Sequence, residues 1–236
     1  LTLFEQLEGK KILVHGGGKI ATQLSHQMGL QPVLLDGRRI TDAEMLKVVT
    51  MVYAGLTNKT IVAQLQAKNV NAIGLSGADA NSIQSTKRPV AEVDYGFVGD
   101  LNDQSVNATF IEQLLENGQI PVFCAITHDG KGQLLNTNAD TIASGVAIAL
   151  AQKYAVDLVY AFEKKGVLQD IADENSVIPF INRHNISDLR AKGIVTDGML
   201  PKLSNSIFAC AHGVKKVIIK KANDLLDPKA GTIINN

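Results

Sequence analysis

The repeated alternation of strand-like and helix-like segments constrains the fold of this chain more than any other feature of its sequence. Short apolar runs are followed, again and again, by stretches in which apolar residues recur three or four positions apart. A helix between two strands carries the chain back to the same edge of a sheet, so strands connected in this way pair in parallel. The sequence therefore predicts an α/β fold with a mainly parallel sheet.

The predicted elements follow one another along almost the whole chain. Strands are predicted at 11–14, 32–35, 71–75, 120–126, 157–161 and 214–219, and a β-hairpin is predicted at 87–98. Helices are predicted after Gly18, from residue 41 onwards, and at 110–116, 140–154 and 199–212. The alternation restarts after Tyr154, which predicts two lobes, 1–154 and 155–236.

The helix expected from residue 41 onwards shows both a start signal and an apolar stripe. Thr41 and Glu44 fit a capping box, in which a threonine hydroxyl and a glutamate carboxylate accept hydrogen bonds from otherwise unpaired amides. We therefore expect Thr41 to be the N-cap. One face of the helix is expected to be buried, and its members are Met45, Val48, Val49, Val52 and Leu56.

Composition and charge argue against several classes of protein. Basic and acidic side chains number 23 each, so the formal net charge is zero, which argues against bulk binding of nucleic acid or of an anionic membrane. Cys124 and Cys210 form no zinc-binding pair and no disulfide framework, as expected of a protein in a reducing cytoplasm. The sequence shows no basic-then-apolar leader and no apolar run long enough to cross a membrane.

Three consecutive glycines separate the first predicted strand from its helix. Gly16, Gly17 and Gly18 leave the backbone amides open, and the helix N-terminus adds partial positive charge, so this loop suits a phosphoryl group or a carboxylate. The pattern is not a Walker A loop. Gly16, Gly18 and Ala21 with Asp36 form a loose dinucleotide fingerprint, which leaves a nicotinamide-dependent oxidoreductase open. A turn that needs glycine only for tight packing is the third interpretation.

Polar residues follow two other predicted strands, at the sheet edge where α/β proteins bind ligands. Arg38 and Arg39 follow the second strand and suit a carboxylate held between guanidinium groups, although paired arginines are often only surface charges. Asn136, Asn138 and Asp140 precede a helix rich in small residues. A single residue suffices as an N-cap, so the excess of polar groups favours a ligand site.

Two further segments place charge near the ends of predicted elements. Lys202 lies in the first turn of a predicted helix, where a cation is electrostatically unfavourable. Such an unfavourable position is expected where a cation must meet a phosphate. The alternative is a lysine that faces solvent. The segment 163–166 follows a strand and fits either a nucleotide pocket or a polar turn.

The order of these motifs resembles that in the N-acetylglutamate kinases, which have the amino-acid kinase fold. The resemblance extends from about Gly9 to about Ile233, and the matching segments are 14–18, 36–41, 54–59, 135–140, 166–168 and 198–202. It implies a three-layer αβα sandwich with a mainly parallel central sheet.

The same resemblance implies a reaction. ATP would phosphorylate the γ-carboxylate of N-acetyl-L-glutamate in the presence of Mg²⁺, giving N-acetyl-L-glutamyl 5-phosphate, a step of arginine biosynthesis. Lobe 1–154 would bind the N-acyl-glutamate, a small-molecule substrate, and lobe 155–236 would bind ATP. A homodimer in the cytoplasm is implied as well. A kinase for another N-acyl-glutamate, such as N-succinyl-L-glutamate, is an open alternative.

Carried over by position, the resemblance implies roles for the substrate-binding residues. Gly17 and Gly18 would donate amides to the reacting carboxylate and phosphoryl group. Arg39 would pair with the α-carboxylate of the substrate, and Asn136 and Asn138 would hold its other polar groups.

The resemblance also implies catalytic and nucleotide-binding residues. Besides Gly17, the catalytic residues would be Lys202, which neutralises charge on the transferring phosphoryl group, and Asp140, which orients the catalytic lysines. Magnesium would bind mainly to the phosphates, without dedicated protein ligands. The residues implied at the nucleotide are Glu163, Lys164, Lys165, Gly166, Leu168, Ile194 and Thr196.

One motif of the family has no counterpart in this sequence. The family begins with a strand that bears Lys-x-Gly-Gly, whose lysine also stabilises the transferring phosphoryl group, and Lys10 and Lys11 do not fit this pattern. We expect that strand to precede Leu1 in the complete protein. A catalytically weak ligand sensor is the alternative.

Overall fold

The computed structural model describes residues 1–35, 37–194 and 199–235. The helices are α1 (Thr2–Glu5), α2 (Gly18–Gln27), α3 (Ala43–Thr50), the π-helix Met51–Thr57, α4 (Asn58–Gln66), the 3₁₀-helix Asp79–Asn81, α5 (Ala108–Glu116), α6 (Ala139–Ala151), α7 (Ile186–Ala191), α8 (Leu200–Ala211) and the 3₁₀-helix Ala222–Asp224.

The strands alternate with these helices, as the sequence predicts. They are β1 (Leu13–His15), β2 (Leu34–Leu35), β3 (Arg38–Arg39), β4 (Ala72–Leu75), β5 (Thr86–Lys87), β6 (Gly99–Asp100), β7 (Ile120–Cys124), β8 (Ile126–His128), β9 (Leu134–Asn136), β10 (Asp157–Phe162), β11 (Phe180–Ile181), β12 (Lys216–Lys221) and β13 (Thr232–Ile234).

The chain forms two compact units. The first contains Leu1 and Glu8–Gly145, and the second contains Thr2–Leu7 and Val146–Asn236. This division lies inside α6, whereas the sequence placed a boundary after Tyr154. The C-terminal end of α6 belongs to the second unit, where a Cβ added to Gly213 would lie 3.5 Å from the Cβ of Ala151.

The first unit is built on a parallel sheet in the order β1–β7–β4. The central strand β7 pairs with β1 along Leu13–His15 and with β4 along Ala72–Leu75. Val122, Phe123 and Cys124 of β7 are fully buried, as expected for a strand covered on both faces. The sheet therefore presents the carboxyl end of β1, where the glycines follow, at one edge of a packed core.

Helix α3 begins one residue later than the sequence predicts. Its N-cap is Asp42, whose carboxylate accepts a hydrogen bond from the Met45 amide over 2.8 Å. The expectation that Thr41 caps the helix is wrong, because Thr41 is still extended. The Thr41 amide donates to the Tyr95 carbonyl, and the Thr41 carbonyl accepts from the Phe97 amide. These two bonds hold the Thr41 backbone outside the helix.

The apolar stripe of this helix ends where the π-helix begins. Val48, Val49 and Val52 are buried, as predicted. Leu56 was expected on the same face but is 59% exposed, because the π-helix Met51–Thr57 shifts the phase of the helix. The face that turns inward after this shift carries Tyr53 and Asn58 instead.

The predicted hairpin at 87–98 is present, and its paired ends extend one or two residues beyond the predicted limits. Strands β5 and β6 form a short antiparallel pair, with Thr86 opposite Asp100 and Lys87 opposite Gly99. The pairing continues inward to Arg88, whose amide donates to the Val98 carbonyl over 2.8 Å, and the loop beyond it bridges to Thr41 through Gly96.

The second unit contains a four-stranded sheet in the order β10–β12–β13–β11. Its β10–β12 and β11–β13 pairs are parallel, and its β12–β13 pair is antiparallel. The three-stranded sheet of the first unit is thus wholly parallel and the sheet of the second unit is mixed, whereas the two-stranded pairs β2–β3, β5–β6 and β8–β9 are antiparallel. Among the described residues, no helix is long and apolar enough to span a membrane.

Gly96 provides a test of how the loop at 88–98 is held against Thr41. Its φ is +73°, and an added Cβ would overlap the Thr41 carbonyl, whereas Gly118 has a φ of +72° and open space around it. Alanine at either position should lose about 1 kcal/mol of unfolding free energy to the left-handed backbone. Gly96→Ala should lose at least about 1–2 kcal/mol more, from the overlap, in urea unfolding. Equal losses for the two variants would contradict this packing.

Candidate active site

A cavity of about 200 Å³ lies in the first unit, beside the carboxyl end of β1. Its lining residues come from the loop after β1, from β2–β3, from the π-helix and from the start of α6. They are Gly16, Gly17, Gly18, Leu34, Gly37, Arg38, Arg39, Tyr53, Val98, Ala125, Asn136, Thr137, Asn138 and Ala139. The predicted substrate-binding residues Gly17, Gly18, Arg39, Asn136 and Asn138 thus line one cavity.

The glycine loop has the strand–loop–helix arrangement that the sequence predicts. Strand β1 ends at His15 and α2 begins at Gly18. The first hydrogen bond of α2 runs from the Ala21 amide to the Gly17 carbonyl over 2.9 Å. The N–H groups that precede it have no acceptor within the helix, so they form a donor set for an anion.

Only the middle glycine of the loop is required by packing. A Cβ added to Gly17 would lie 2.7 Å from Cδ1 of Tyr53, whereas one added to Gly16 would only touch Ala139 at 3.9 Å. The interpretation of the loop as a tight-packing turn therefore holds for Gly17, although the same residue also lines the cavity.

Arg39 brings a buried positive charge to the cavity. Its side chain is 6% exposed, and its Nη2 donates to the Gly18 carbonyl over 3.1 Å and to the Thr22 hydroxyl over 2.8 Å. No carboxylate forms an ion pair with it in the described part of the chain. A buried cation with only neutral partners is a strong attraction for an anionic ligand.

Tyr53 is a cavity residue that sequence reasoning missed. Tyr53 is buried, its ring lies against Gly17, and its phenol hydrogen-bonds Arg39. Burial raises the pKa of the Tyr53 hydroxyl above the usual 10.0. The hydroxyl is therefore neutral at physiological pH and able to donate. Tyr53 lies beside the predicted apolar stripe and not in it, so the sequence gave no signal for a place at the glycines.

Asn136 is fixed from the side of β3. Its Nδ2 donates to the Thr41 hydroxyl over 3.0 Å, and that hydroxyl donates to the Arg39 carbonyl over 2.9 Å. Thr41 is fully buried, so this link holds β3 and β9 at a constant spacing. Thr41 is therefore a support for two cavity residues, a role that its expected function as a cap concealed.

The start of α6 combines capping with the cavity wall. The Asn138 carboxamide oxygen accepts from the Thr141 amide over 3.1 Å, so Asn138 caps this helix as well as lining the cavity. Asp140 lies in the first turn of α6 and is half-buried. The N-cap interpretation of Asn138 is therefore confirmed, and the same residue forms part of the cavity wall.

Lys202 belongs to the second unit and lies in the first turn of α8, as predicted. Its Nζ is 4.4 Å from the ring centroid of Tyr160 and 5.8 Å from that of Phe162. These aromatic faces attract the ammonium group and restrain the end of a flexible side chain.

The residues predicted at the nucleotide also lie in the second unit, around the loop after β10. Lys164 lies 3.7 Å from the Glu174 carboxylate, and Lys165 donates to Asn175 over 2.8 Å. Leu168 is buried and bridges to Val177.

The remaining predicted nucleotide residues are placed by the backbone. Glu163 directly follows β10. Gly166 packs so closely that an added Cβ would lie 2.8 Å from the Thr232 hydroxyl oxygen. The Ile194 amide donates to the Leu189 carbonyl at the end of α7. Thr196 and Asp36, the acidic residue of the dinucleotide fingerprint, lie outside the described residues.

In the described part of the chain, no group of three or more histidine, cysteine, aspartate or glutamate side chains is arranged to hold a metal ion. The cavity of the first unit combines a glycine loop, a buried guanidinium and carboxamides, which are groups that can bind a small anion.

Comparison with known proteins identifies the class. The profile of the amino acid kinase family matches residues 1–221. Acetylglutamate kinase of Phocaeicola vulgatus is 56% identical over 98% of this chain and 89% of its own length. Acetylglutamate kinase of Bacteroides thetaiotaomicron is 54% identical over 95% of this chain and 86% of its own length.

A solved structure supports the same fold. The crystal structure of smu.665 from Streptococcus mutans has a TM-score of 0.80 and 29% identity, and the match covers 95% of this chain and 85% of that one. The chain belongs to the amino acid kinase family, in the group of the acetylglutamate kinases. The predicted fold is confirmed, and the nicotinamide-dependent oxidoreductase is not favoured.

Substitution of the loop glycines tests their packing. Gly17→Ala should lower the unfolding free energy by about 1–3 kcal/mol, because the new methyl group enters the space of the Tyr53 ring. Gly16→Ala should cost less than about 1 kcal/mol, since its methyl group meets Ala139 at an ordinary distance. The two variants should be compared by urea unfolding at one pH. An equal loss in both would show that the Tyr53 contact does not constrain the loop.

Proposed function

We propose that this chain is an acetylglutamate kinase, which transfers a phosphoryl group from ATP to the γ-carboxylate of N-acetyl-L-glutamate and gives N-acetyl-L-glutamyl 5-phosphate. The observation that carries the proposal is the cavity of the first unit, which the glycine loop 16–18 and the buried Arg39 line together. The names and the high identity of the relatives support the same reaction.

The chemistry needs electrostatics rather than a base. The acceptor carboxylate is already a nucleophile, so no proton has to be removed before it attacks. The barrier comes from bringing this anion to the polyanionic end of ATP. Preorganised amide donors and cations lower that barrier, because they stabilise charge without having to reorient during the reaction.

The substrate would be held by the groups that line the cavity. Arg39 pairs with the α-carboxylate and thereby completes its own charge balance. Asn136 and Asn138 bind the amide and other polar groups of the acyl-glutamate. Gly17 and Gly18 donate their amides to the reacting carboxylate and phosphoryl group.

The second unit would supply the nucleotide site. Lys202 neutralises charge on the transferring phosphoryl group, and Asp140 at the start of α6 orients the catalytic lysines. Glu163–Gly166, Leu168, Ile194 and Thr196 contact the nucleotide. Magnesium, when bound, would neutralise phosphate charge, and it would be held mainly by the phosphates.

We further propose that the protein is cytoplasmic, that it forms a homodimer, and that its reaction belongs to arginine biosynthesis. The rarity of cysteine fits the first of these proposals, and the resemblance to the family supports the other two.

The proposed reaction is tested by ADP release from full-length protein with ATP, magnesium and N-acetyl-L-glutamate. Release should depend on the acyl-glutamate and should be slower with N-succinyl-L-glutamate. Thermal stabilisation by ATP but not by NADH should accompany it. If no N-acyl-glutamate stimulates ADP release, the proposed function fails.

Two substitutions separate substrate binding from transfer. Arg39→Ala should raise KM for N-acetyl-L-glutamate about 10–100-fold with a smaller change in kcat, because a charge-assisted contact to the α-carboxylate is lost. Lys202→Ala should lower kcat about 100-fold or more with little change in KM for ATP. The exposed Lys131→Ala serves as control and should match the wild type. Small, equal effects of both substitutions would contradict the assigned roles.

A further inference from the structure

The segment 54–59 matches the family pattern, yet none of its residues has a role in the proposed reaction. It ends the π-helix and begins α4, and it places Asn58 against His15 at the end of β1. The Asn58 side chain is 1% exposed, and its Nδ2 lies 3.0 Å from Nε2 of His15. The Nδ1 of His15 lies 2.7 Å from the Gly16 carbonyl oxygen, so the ring connects Asn58 to the glycine loop.

The partners determine which nitrogen of the His15 ring carries the proton. The Gly16 carbonyl can only accept, so Nδ1 is the donor to it. The Asn58 amide donates to the Val122 carbonyl over 2.9 Å, and its second N–H donates to Nε2, which is therefore unprotonated. Burial lowers the pKa of His15 below 6.5, which favours the same neutral ring.

Asn58 is itself held in one orientation. Its Oδ1 accepts from Lys59 Nζ over 3.2 Å, and Lys59 also donates to the Gly74 carbonyl over 3.1 Å. Gly74 makes the space for this arrangement, because a Cβ there would overlap Oδ1 of Asn58. A flip of the Asn58 amide would therefore break its hydrogen bonds to the Val122 carbonyl and to the Lys59 ammonium group.

The π-helix brings this support to the loop. The hydrogen bonds of a π-helix join residue i to residue i+5. Thr57 and Asn58 follow Tyr53 by four and five residues, and all three lie towards the same side. A Cβ on Gly17 would lie 2.7 Å from the Tyr53 ring and 3.3 Å from the Thr57 hydroxyl oxygen. Tyr53 thus packs against Gly17, while Asn58 reaches Gly16 through His15.

The hydrogen bond to Gly16 also sets the direction of the next amide. The chain has no cis peptide bond among its described residues. In a planar trans peptide the carbonyl and the following N–H point in opposite directions. Because the Gly16 carbonyl points to the His15 ring, the Gly17 N–H points away from that ring. Gly17 lines the cavity and His15 does not, so the N–H points to the cavity side of the loop.

We propose that His15 and Asn58 are positioning residues, which hold the Gly16–Gly17 peptide so that the Gly17 N–H is presented to the reacting groups. His15 acts through the Gly16 carbonyl, and Asn58 keeps the ring in the tautomer that donates to it. Neither residue touches the substrate. This inference rests on the proposed kinase function, because the Gly17 amide matters only if charge accumulates beside it.

A matched pair of substitutions at His15 tests this role. His15→Asn retains a nitrogen donor at the position of Nδ1 and loses the contact to Asn58, whereas His15→Gln retains an acceptor towards Asn58 and loses the donor to Gly16. With N-acetyl-L-glutamate, ATP and magnesium, His15→Gln should lower kcat about 10-fold or more. His15→Asn should stay within about threefold of the wild type, and KM for N-acetyl-L-glutamate should change little in either variant.

The outcomes separate this inference from the proposed function. If the wild type shows no acyl-glutamate-dependent ADP release, the proposed function fails. If the wild type is active and the two His15 variants have the same kcat, the positioning role is wrong. A rise in KM without a fall in kcat in His15→Gln would overturn it as well, because that result indicates binding rather than transfer.

A measurement on the wild-type chain keeps the inference testable if a variant fails to fold. Long-range ¹H–¹⁵N spectra of histidine-labelled protein at pH 7.5 distinguish the two neutral tautomers from the imidazolium ion. The expected result for His15 is the tautomer protonated at Nδ1. Finding the Nε2-protonated tautomer or the imidazolium ion would overturn the assignment of the Gly16 hydrogen bond.

Discussion

The burial of the Arg39 guanidinium among neutral groups is the constraint around which the first unit is built. Removing a charge from water costs several kcal/mol unless an opposite charge or a full set of hydrogen bonds replaces the solvent. The Gly18 carbonyl, the Thr22 hydroxyl and the Tyr53 phenol are neutral partners of Arg39, and no described carboxylate pairs with it. A substrate carboxylate would supply the missing charge. Under the proposed function, the entry of an acidic ligand would therefore lower the free energy of this cavity.

Two supports keep the groups around this charge in place. On one side, the buried Thr41 hydroxyl links the backbone of Arg39 to the carboxamide of Asn136. On the other side, the π-helix presses Tyr53 against Gly17 and connects Asn58 to the loop through His15. The site thus depends on backbone positions as much as on side chains, since amide donors are useful only when their direction is constant.

Much of the site could be predicted because its residues adjoin strand ends. The glycines follow β1, Arg39 lies beyond the second apolar run, and Asn136 and Asn138 precede α6, so alternation and motif order placed them together. Tyr53 and Thr41 could not be found in this way. Tyr53 is not in the apolar stripe that an α-helical period predicts, yet it is buried, whereas Leu56 of that stripe is exposed. Thr41 fits a capping box, but its pairing with the loop at 95–97 keeps it extended.

The sequence by itself determined the order of strands and helices, the preference for parallel pairing and the glycine loop at the start of α2. These features are local, because they depend on the spacing of apolar residues and on the absence of side chains at three consecutive positions. The tertiary structure decided which side chains face the cavity and which nitrogen of His15 donates. Such choices depend on contacts between residues far apart in the chain, such as Asn58 with Val122 or Gly96 with Thr41, and no local pattern encodes those distances.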